Sequence, residues 1–335
     1  MKALVTGASG FIGSTLIEEL GTLGFEVYAL MRSSSSPENL KGLTFQRVEG
    51  DLSDLSSLKK ALKKIPQLNY VFHLAGATAA PNREAYFEQN AEGTAKLAKA
   101  VAAEHPELTR FVHVSSLAAA GPADSKVPRL ESEPNRPISA YGESKLQSEK
   151  EILKYKSTFP VTIIRPPMVY GPRDKGVFVV IKTISKNLMP LPPSSASPDG
   201  NKYYSLIHSK DLCRGIVQAA LAKDIPSGEI FYLSGDEIVT YQDLLNAMAE
   251  KLGNDPWKFK VPLLALKAGA LAGTVLGRVS KKTFALNLDK LNEIKPDFWV
   301  CSNEKAKKQL GFVPEFSLTS GMSNTIDWYK RHKWI

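Results

Sequence analysis

A chain of 335 residues, 43% hydrophobic and 23% charged, can bury a large core, which excludes a disordered polypeptide and suits either two lobes or one domain with a substantial insertion. The formal charge of +9 biases the surface toward anionic partners, yet the cations are scattered, with short clusters such as Lys59, Lys60, Lys63 and Lys64 and no aromatic-interleaved basic module, which argues against nucleic acid. The lone Cys213 and Cys301 indicate neither a disulfide framework nor a metal knuckle and fit a reducing compartment.

Residues Lys2 to Gly13 read KALVTGASGFIG. A short apolar run, Ala3 to Val5, passes into Gly7, Gly10 and Gly13 and then into a helical pattern with Ile12, Leu16, Leu20 and Leu23 on one face, which predicts strand, tight turn and helix. Gly7 permits the turn, Gly10 lets the backbone approach a pyrophosphate, and Gly13 allows helix and strand to pack, while the helix N-terminus offers N–H groups and positive dipole to the anion. Because the chain opens directly on a strand, no leader is expected and the protein reads as cytoplasmic. A second strand, Glu26 to Leu30, ends at Met31, Arg32 and the serine run from Ser33 to Ser36. The acid that accepts from the adenosine ribose in NAD-binding folds is missing here; Arg32 with Ser33 and Ser34 suits the 2′-phosphate of NADP instead, with NAD as the alternative.

Phe45 to Val48 predicts a third strand running into Asp51, which either accepts from the adenine amino group or caps the helix beginning near Leu55. A fourth strand, Tyr70 to Leu74, contains His73 as a buried strand residue and breaks at Ala75, Gly76 and Ala77, small residues that leave space for a ligand at its carboxyl end. One helix is predicted from Glu84 to Glu104, with Ala91, Ala95, Ala98 and Ala102 on a stripe for core packing or a dimer contact, and with Asn90 placed to bridge backbone elements. Arg110 to Val114 is the fifth strand and delivers Ser115 and Ser116; the loop that follows to Pro137 is long enough for a mobile lid.

In Tyr141-Gly-Glu-Ser-Lys145, Tyr141 and Lys145 are i, i+4 neighbours on a helix. An ammonium beside a phenol favours phenolate and lowers a pKa of about 10, so that Tyr141 can trade a proton with a substrate oxygen. Farther on, Tyr203 and Tyr204 follow the proline-rich loop from Leu188 to Gly200, which includes Pro198, and either flank an apolar ring or pack the lobe. His208 reads as a structural anchor without metal-ligand spacing. The most apolar stretch, Val261 to Val279, carries Gly269, Gly273 and Gly277 and is interrupted by Pro262, Lys267 and Arg278, so it does not span a membrane. It packs tightly through its small residues or, alternatively, presents an amphipathic face followed by Arg278, Lys281 and Lys282 to acidic lipid.

Taken together, VTGASGFIG, the Ser116 strand end and YGESK resemble the extended short-chain dehydrogenase/reductase family, within the NAD-dependent epimerase/dehydratase superfamily, and RPPMVYGP at Arg165 to Pro172 looks like its next landmark. The resemblance continues through LIHSKDL and the terminal NEKAKKQLGFVPEFSLTSG. It implies an α/β fold: a Rossmann-type doubly wound parallel sheet over residues 1–165, rejoined by segments near 203–235, with a smaller C-terminal substrate-binding lobe from 166–202 and 236–335. It further implies a catalytic set of Ser116, Tyr141 and Lys145 supported by Asn90. Gly7, Gly10, Phe11, Ile12 and Gly13 would then hold the pyrophosphate, Asp51 and Leu52 the adenine, and Ala75, Gly76 and Pro166 would line the cofactor, with Thr78, Ser116 and Tyr204 facing the substrate. No metal is implied, and a homodimer is.

Three departures point toward members resembling dihydroflavonol reductase and 3β-hydroxysteroid dehydrogenase: Ala120 stands where a tyrosine often lines a sugar pocket, Tyr204 where an arginine grips a diphosphate (Lys202 being the nearest cation), and Met31 where NAD users keep an aspartate. An NADP-dependent oxidoreductase acting on a hydroxyl or ketone is therefore the leading expectation. The alternatives are a nucleotide-sugar epimerase or dehydratase that retains its cofactor, and a non-catalytic cofactor-sensing module.

Overall fold

A computed structural model describes residues 1–194, 197, 199–280 and 286–335. Its strands in chain order are β1 (Lys2–Thr6), β2 (Glu26–Met31), β3 (Gln46–Glu49), β4 (Tyr70–His73), β5 (Arg110–Val114), β6 (Val161–Arg165), β7 (Met168–Tyr170), β8 (Leu188–Leu191), β9 (Tyr203–His208), β10 (Glu229–Tyr232), β11 (Ile238–Thr240), β12 (Trp257–Lys260) and β13 (Phe298–Trp299). Seven of them form one parallel sheet in the order β10-β6-β5-β4-β1-β2-β3. The order reverses at β1, so the connections from β1 and β4 diverge above their carboxyl ends and open a crevice there.

The inner strands β1, β2, β4, β5 and β6 are buried on both faces, which is why they read as largely apolar runs rather than alternating ones, whereas the edge strand β3 is mostly exposed. In β1, Ala3 and Val5 point into one core with Leu16, Leu20, Phe72 and Ile216, while Leu4 points into the other with Val71, Leu97, Phe111 and Ile163. The first face is covered by α1 (Phe11–Thr22) and α8 (Ser209–Leu221), the second by α2 (Leu55–Leu62), α4 (Gly93–Glu104) and α6 (Ala140–Leu153).

The segment expected to return to this sheet divides. Helix α8 and strand β10 rejoin it, whereas β9 pairs with β7 and β13 in parallel and with β11 antiparallel, forming the small sheet of the second lobe. That lobe packs Ile181, Met189, Leu245, Met248 and Ile326 between α7 (Lys175–Ile184), α9 (Tyr241–Leu252) and α13 (Leu318–Arg331).

Two local expectations are corrected. The helix expected from Glu84 to Glu104 is α3 (Arg83–Phe87), a π turn over Glu88–Glu92, and then α4. One extra residue in the π turn changes the helical phase and brings Asn90 inward, a use typical of functional positions. The alanine stripe is thereby split: Ala91 and Ala98 are buried, whereas Ala95 and Ala102 are partly exposed. The loop expected to be a mobile lid is pinned. After α5 (Leu117–Ala120), the buried Arg129 donates to the carbonyls of Ala120 (2.8 Å) and Pro122 (3.1 Å), and the Ala123 amide donates to Phe298 O at 2.9 Å. A buried guanidinium holding carbonyls across the loop opposes opening, because exposing it would break several charge-assisted bonds together.

Helix α10 (Leu263–Ser280) and α11 (Leu288–Ile294) form a pair ahead of β13 and α12 (Glu304–Leu310). No helix among the described residues is long and apolar enough to cross a membrane. Pro198, Lys281 and Lys282 lie outside the described residues.

Candidate active site

The turn between β1 and α1 is shaped by its glycines. Gly7 has φ +67°, and a Cβ there would stand 2.8 Å from the Ala75 amide nitrogen; a Cβ on Gly13 would stand 2.1 Å from the Gly7 carbonyl oxygen. Both positions are therefore closed to any side chain. Gly10 donates its amide to Gly7 O at 3.0 Å and starts α1 without a side-chain cap. An uncapped helix N-terminus at the mouth of a sheet crevice, with Phe11 and Ile12 only partly buried beside it, fits a pyrophosphate.

At the end of β2, Met31 is buried while Arg32, Ser33 and Ser34 are exposed. The sequence reading missed a second cation: Arg47 on β3 donates Nη2 to the carbonyls of Arg32 (2.9 Å) and Ser33 (3.2 Å), so two arginines meet at this corner. Asp51 does not cap the following helix, because Asp54 does, accepting from the Ser56 amide at 2.8 Å. Asp51 instead accepts from the backbone and hydroxyl of Ser53, each at 2.9 Å, bonds that hold its carboxyl below the usual range. Leu52 is partly buried against the second core.

Beyond β4, Gly76 and Thr78 are exposed and Ala75 is partly buried. A Cβ on Gly76 would lie 2.7 Å from Asn90 Oδ1 and 3.8 Å from Lys145 Nζ, so this glycine lets β4's end pass directly over two expected catalytic-set members. Asn90 is almost completely buried: its Oδ1 accepts from the Ala77 amide (2.7 Å), and its Nδ2 donates to Ala77 O (3.0 Å) and Ser144 Oγ (2.8 Å). It thus ties the β4 loop to α6. Pro166, past β6, accepts the Leu117 amide at 2.8 Å and fixes the start of α5.

Ser116 and Tyr141 meet. Ser116 caps α5, with its Oγ accepting from the Ala118 amide at 3.1 Å, and its hydroxyl lies near enough to the Tyr141 phenol to act on that group's ionisation. Burial pushes the phenol above its ordinary 10, the neighbouring Ser116 hydroxyl pulls it back, and Glu293 and Tyr86 push it further up. The expected lowering by Lys145 is not the balance found. Lys145, 5% exposed, turns its ammonium to the Val114 carbonyl at 2.8 Å, and burial lowers its own pKa to about 8 against the opposing pull of Glu149.

Several supporting groups were not picked out in the sequence. Glu149, one turn beyond Lys145, forms a buried two-point pair with Arg165 (2.8 and 2.6 Å) and accepts from Ser115 Oγ, tying the ends of β5 and β6 to α6. From α11, Asp289 accepts from the amides of Ala140 (2.6 Å) and Tyr141 (3.3 Å), and Glu293 accepts from Ser139 Oγ (2.8 Å), so the second lobe caps the helix that carries Tyr141. Tyr86 lies 6.0 Å from Tyr141, ring centre to ring centre. The i, i+4 spacing of Lys145 and Glu149 was a usable signal; the α11 carboxylates, far away in sequence, had none.

Three residues weighed for the substrate fall elsewhere. Tyr204 is buried in the core of the second lobe, its ring 6.1 Å from that of Tyr241. Lys202 is buried and paired with Asp297 at 2.6 Å, with further bonds to the carbonyls of Lys295 and Pro296. Ala120 is fully buried. Two of the five histidines, His73 and His208, are structural: His73 is sandwiched between Thr6 (2.7 Å) and Thr94 (2.9 Å), and His208 caps α8 through the Lys210 amide at 3.3 Å while stacking on Phe316.

Residues 3–234 match the sequence model of the NAD dependent epimerase/dehydratase family. Among individual proteins, the chain is 27% identical to a 4-hydroxy-2-methyl-3-oxo-4-farnesyl-3,4-dihydroquinoline-1-oxide ketoreductase of Stigmatella aurantiaca, over 96% of this chain and 95% of that one. It is 27% identical to a UDP-glucose 4-epimerase of Vibrio cholerae, over 96% and 93%. Its fold superimposes on the UDP-glucose 4-epimerase of Thermus thermophilus, solved with NAD, with a TM-score of 0.78 at 23% identity, covering 98% of this chain and 99% of the other.

Proposed function

The chain belongs to the NAD dependent epimerase/dehydratase family and is an NAD(P)-dependent oxidoreductase of the extended short-chain type, and from that premise we propose that it is an NADP-dependent reductase of a lipophilic ketone. The observation that carries the choice of substrate is the Lys202–Asp297 pair. A diphosphate needs a cation free to meet it, and Lys202 is already neutralised and buried. Tyr204 and Ala120 are buried and so offer a sugar no polar grip, and the Stigmatella relative carries a farnesylated substrate in its name.

The glycine turn and the uncapped start of α1 fit a dinucleotide, whose pyrophosphate Gly10, Phe11, Ile12 and Gly13 would hold, with Asp51 and Leu52 at the adenine. Arg32 and Arg47, with Ser33, offer cationic and hydroxyl donors where a 2′-phosphate would sit. When bound, the nicotinamide supplies the hydride. The chain's own part is proton delivery and alignment. Tyr141, whose raised pKa keeps it protonated at neutral pH, donates from its Oη to the carbonyl oxygen as that oxygen gains charge, and Ser116 Oγ donates a second hydrogen bond to it. Lys145 would hold the ribose beside Gly76, and Asn90 keeps β4's end over α6.

Net NADPH oxidation tests this reading. Purified protein should consume NADPH with long-chain or polycyclic ketones and exchange its cofactor freely on dialysis. Interconversion of UDP-glucose and UDP-galactose with retained cofactor and no net oxidation would establish the epimerase instead.

A further inference from the structure

Helix α10 faces the wrong way for a helix in water. Leu266, Ala270, Gly273 and Gly277 form its inward stripe, the last three buried, and a Cβ on Gly269 would already be 3.2 Å from Leu286. The opposite stripe, Leu264, Ala268, Leu271 and Val275, is apolar and open to solvent, with Leu264 78% exposed. An ordinary surface helix puts polar residues there. Just before it in the chain, β12 carries Trp257, 69% exposed and stacked on Phe259.

The charge along this stretch of sequence has one sign. Between Asp255 and Asp289 the sequence contains no acid, while Lys258, Lys260, Lys267, Arg278, Lys281 and Lys282 fall in that interval. Lys258, Lys260 and Lys267 are exposed, and none pairs with a carboxylate among the described residues. Exposed leucines, an interfacial tryptophan and unopposed lysines together match an anionic bilayer surface: the apolar stripe enters the acyl boundary while the cations meet the headgroups. A second protein copy would not call for a single sign of charge, since a two-fold contact would bring like charges together.

We propose that β12 and α10 form a docking surface for anionic lipid bilayers, linked to the catalytic helix. The connection runs through α11: Thr274 Oγ1 of α10 accepts the Leu288 amide at 2.9 Å, and the adjoining Asp289 caps Tyr141's helix. Docking thus sets the membrane next to the lobe that a lipophilic substrate must cross. The inference stands on residues outside the crevice, and vesicle binding is read without turnover, so the failure of either reading leaves the other measurable.

Flotation of the full-length protein, NADPH present, with phosphatidylcholine vesicles and with phosphatidylcholine–phosphatidylglycerol vesicles tests it. Binding is expected only with the anionic vesicles, with a blue shift of fluorescence that Trp257→Phe removes. Lys258→Gln and Lys260→Gln should each weaken binding about fivefold, and the double variant Leu264→Glu/Leu271→Glu by more than about tenfold. NADPH affinity and melting temperature should stay at wild-type values in all of them, which separates lost docking from lost folding. Absence of binding to anionic vesicles, equal binding to neutral ones, undiminished binding by the double glutamate variant, or a protein dimer that this variant dissociates would each overturn the proposal.

Discussion

Lys145 shows what the site costs the fold. Its amine falls from an ordinary 10.5 to about 8 because burial penalises the charge. The unfolded chain therefore holds the proton up to about 10.5 while the folded chain releases it near 8, so the penalty is complete below pH 8 and is relieved as pH rises toward 10.5. Lys145→Met should accordingly stabilise the protein at pH 7, by about 1–3 kcal/mol in urea denaturation, while abolishing turnover; a destabilised variant would contradict the assignment of Lys145 as a strained functional group. Gly13→Ala should do the reverse. A Cβ 2.1 Å from the Gly7 carbonyl forces helix from strand, and dinucleotide affinity measured by calorimetry should fall at least about tenfold. At this scale the site was legible wherever one residue type alone can satisfy the geometry, as at Gly7 and Gly13. The state of Tyr141 was not, because it depends on Glu293 and on where Lys145 turns, and neither is written in local spacing.

Among the elements, β1, β2, β4 and β5 of the large sheet were readable because they are buried on both faces, so their apolar runs stand out against the chain, whereas β6 and β10 were not read as strands. The helix over 83–104 was readable as helical but not as interrupted, since a π turn leaves no compositional mark. Its signature is tertiary: the pairing of Asn90 with the Ala77 backbone and Ser144. The pinned loop was misread for a similar reason, because Arg129 looks like any surface arginine until its carbonyl partners are in place. Two predictions belong here. Glu149→Gln leaves Arg165 buried without its counter-charge and should cost about 3–5 kcal/mol of stability; a loss below about 1 kcal/mol would mean that the pair does not lock α6 to β5 and β6. On the central strands, burial drops His73 from 6.5 to about 3 and His113 well below its ordinary value, so both stay neutral in the folded chain. Unfolded chains take up those protons first, so stability is complete above pH 6.5 and drains away as pH falls from there toward 3. His73→Gln should flatten that slope in acid denaturation, and an unchanged slope would assign it to other groups.

On the scale of the whole molecule, the two lobes divide the work. The large sheet presents the crevice, while the second lobe caps the helix of Tyr141 through Asp289 and Glu293 and carries the exposed α10. The sequence made the first lobe plain and blurred the second, because that lobe is assembled from short segments, including a strand, β9, that the parallel sheet had been expected to claim. The proposed choice of cofactor also belongs to this scale, since the proposed 2′-phosphate corner is built by β2 and β3 together. Arg32→Ala and Arg47→Ala should each weaken NADPH binding by about ten- to a hundredfold and leave NADH binding within about twofold; a native preference for NADH in calorimetry would remove the role given to this corner.

The most direct test is of the proposed proton donor: NADPH oxidation with an accepted ketone by the wild type and by Tyr141→Phe, with NADPH affinity measured in parallel. Turnover should fall by about two to four orders of magnitude while NADPH affinity stays within about twofold. A phenylalanine variant that turns over at the wild-type rate would contradict the assignment of Tyr141.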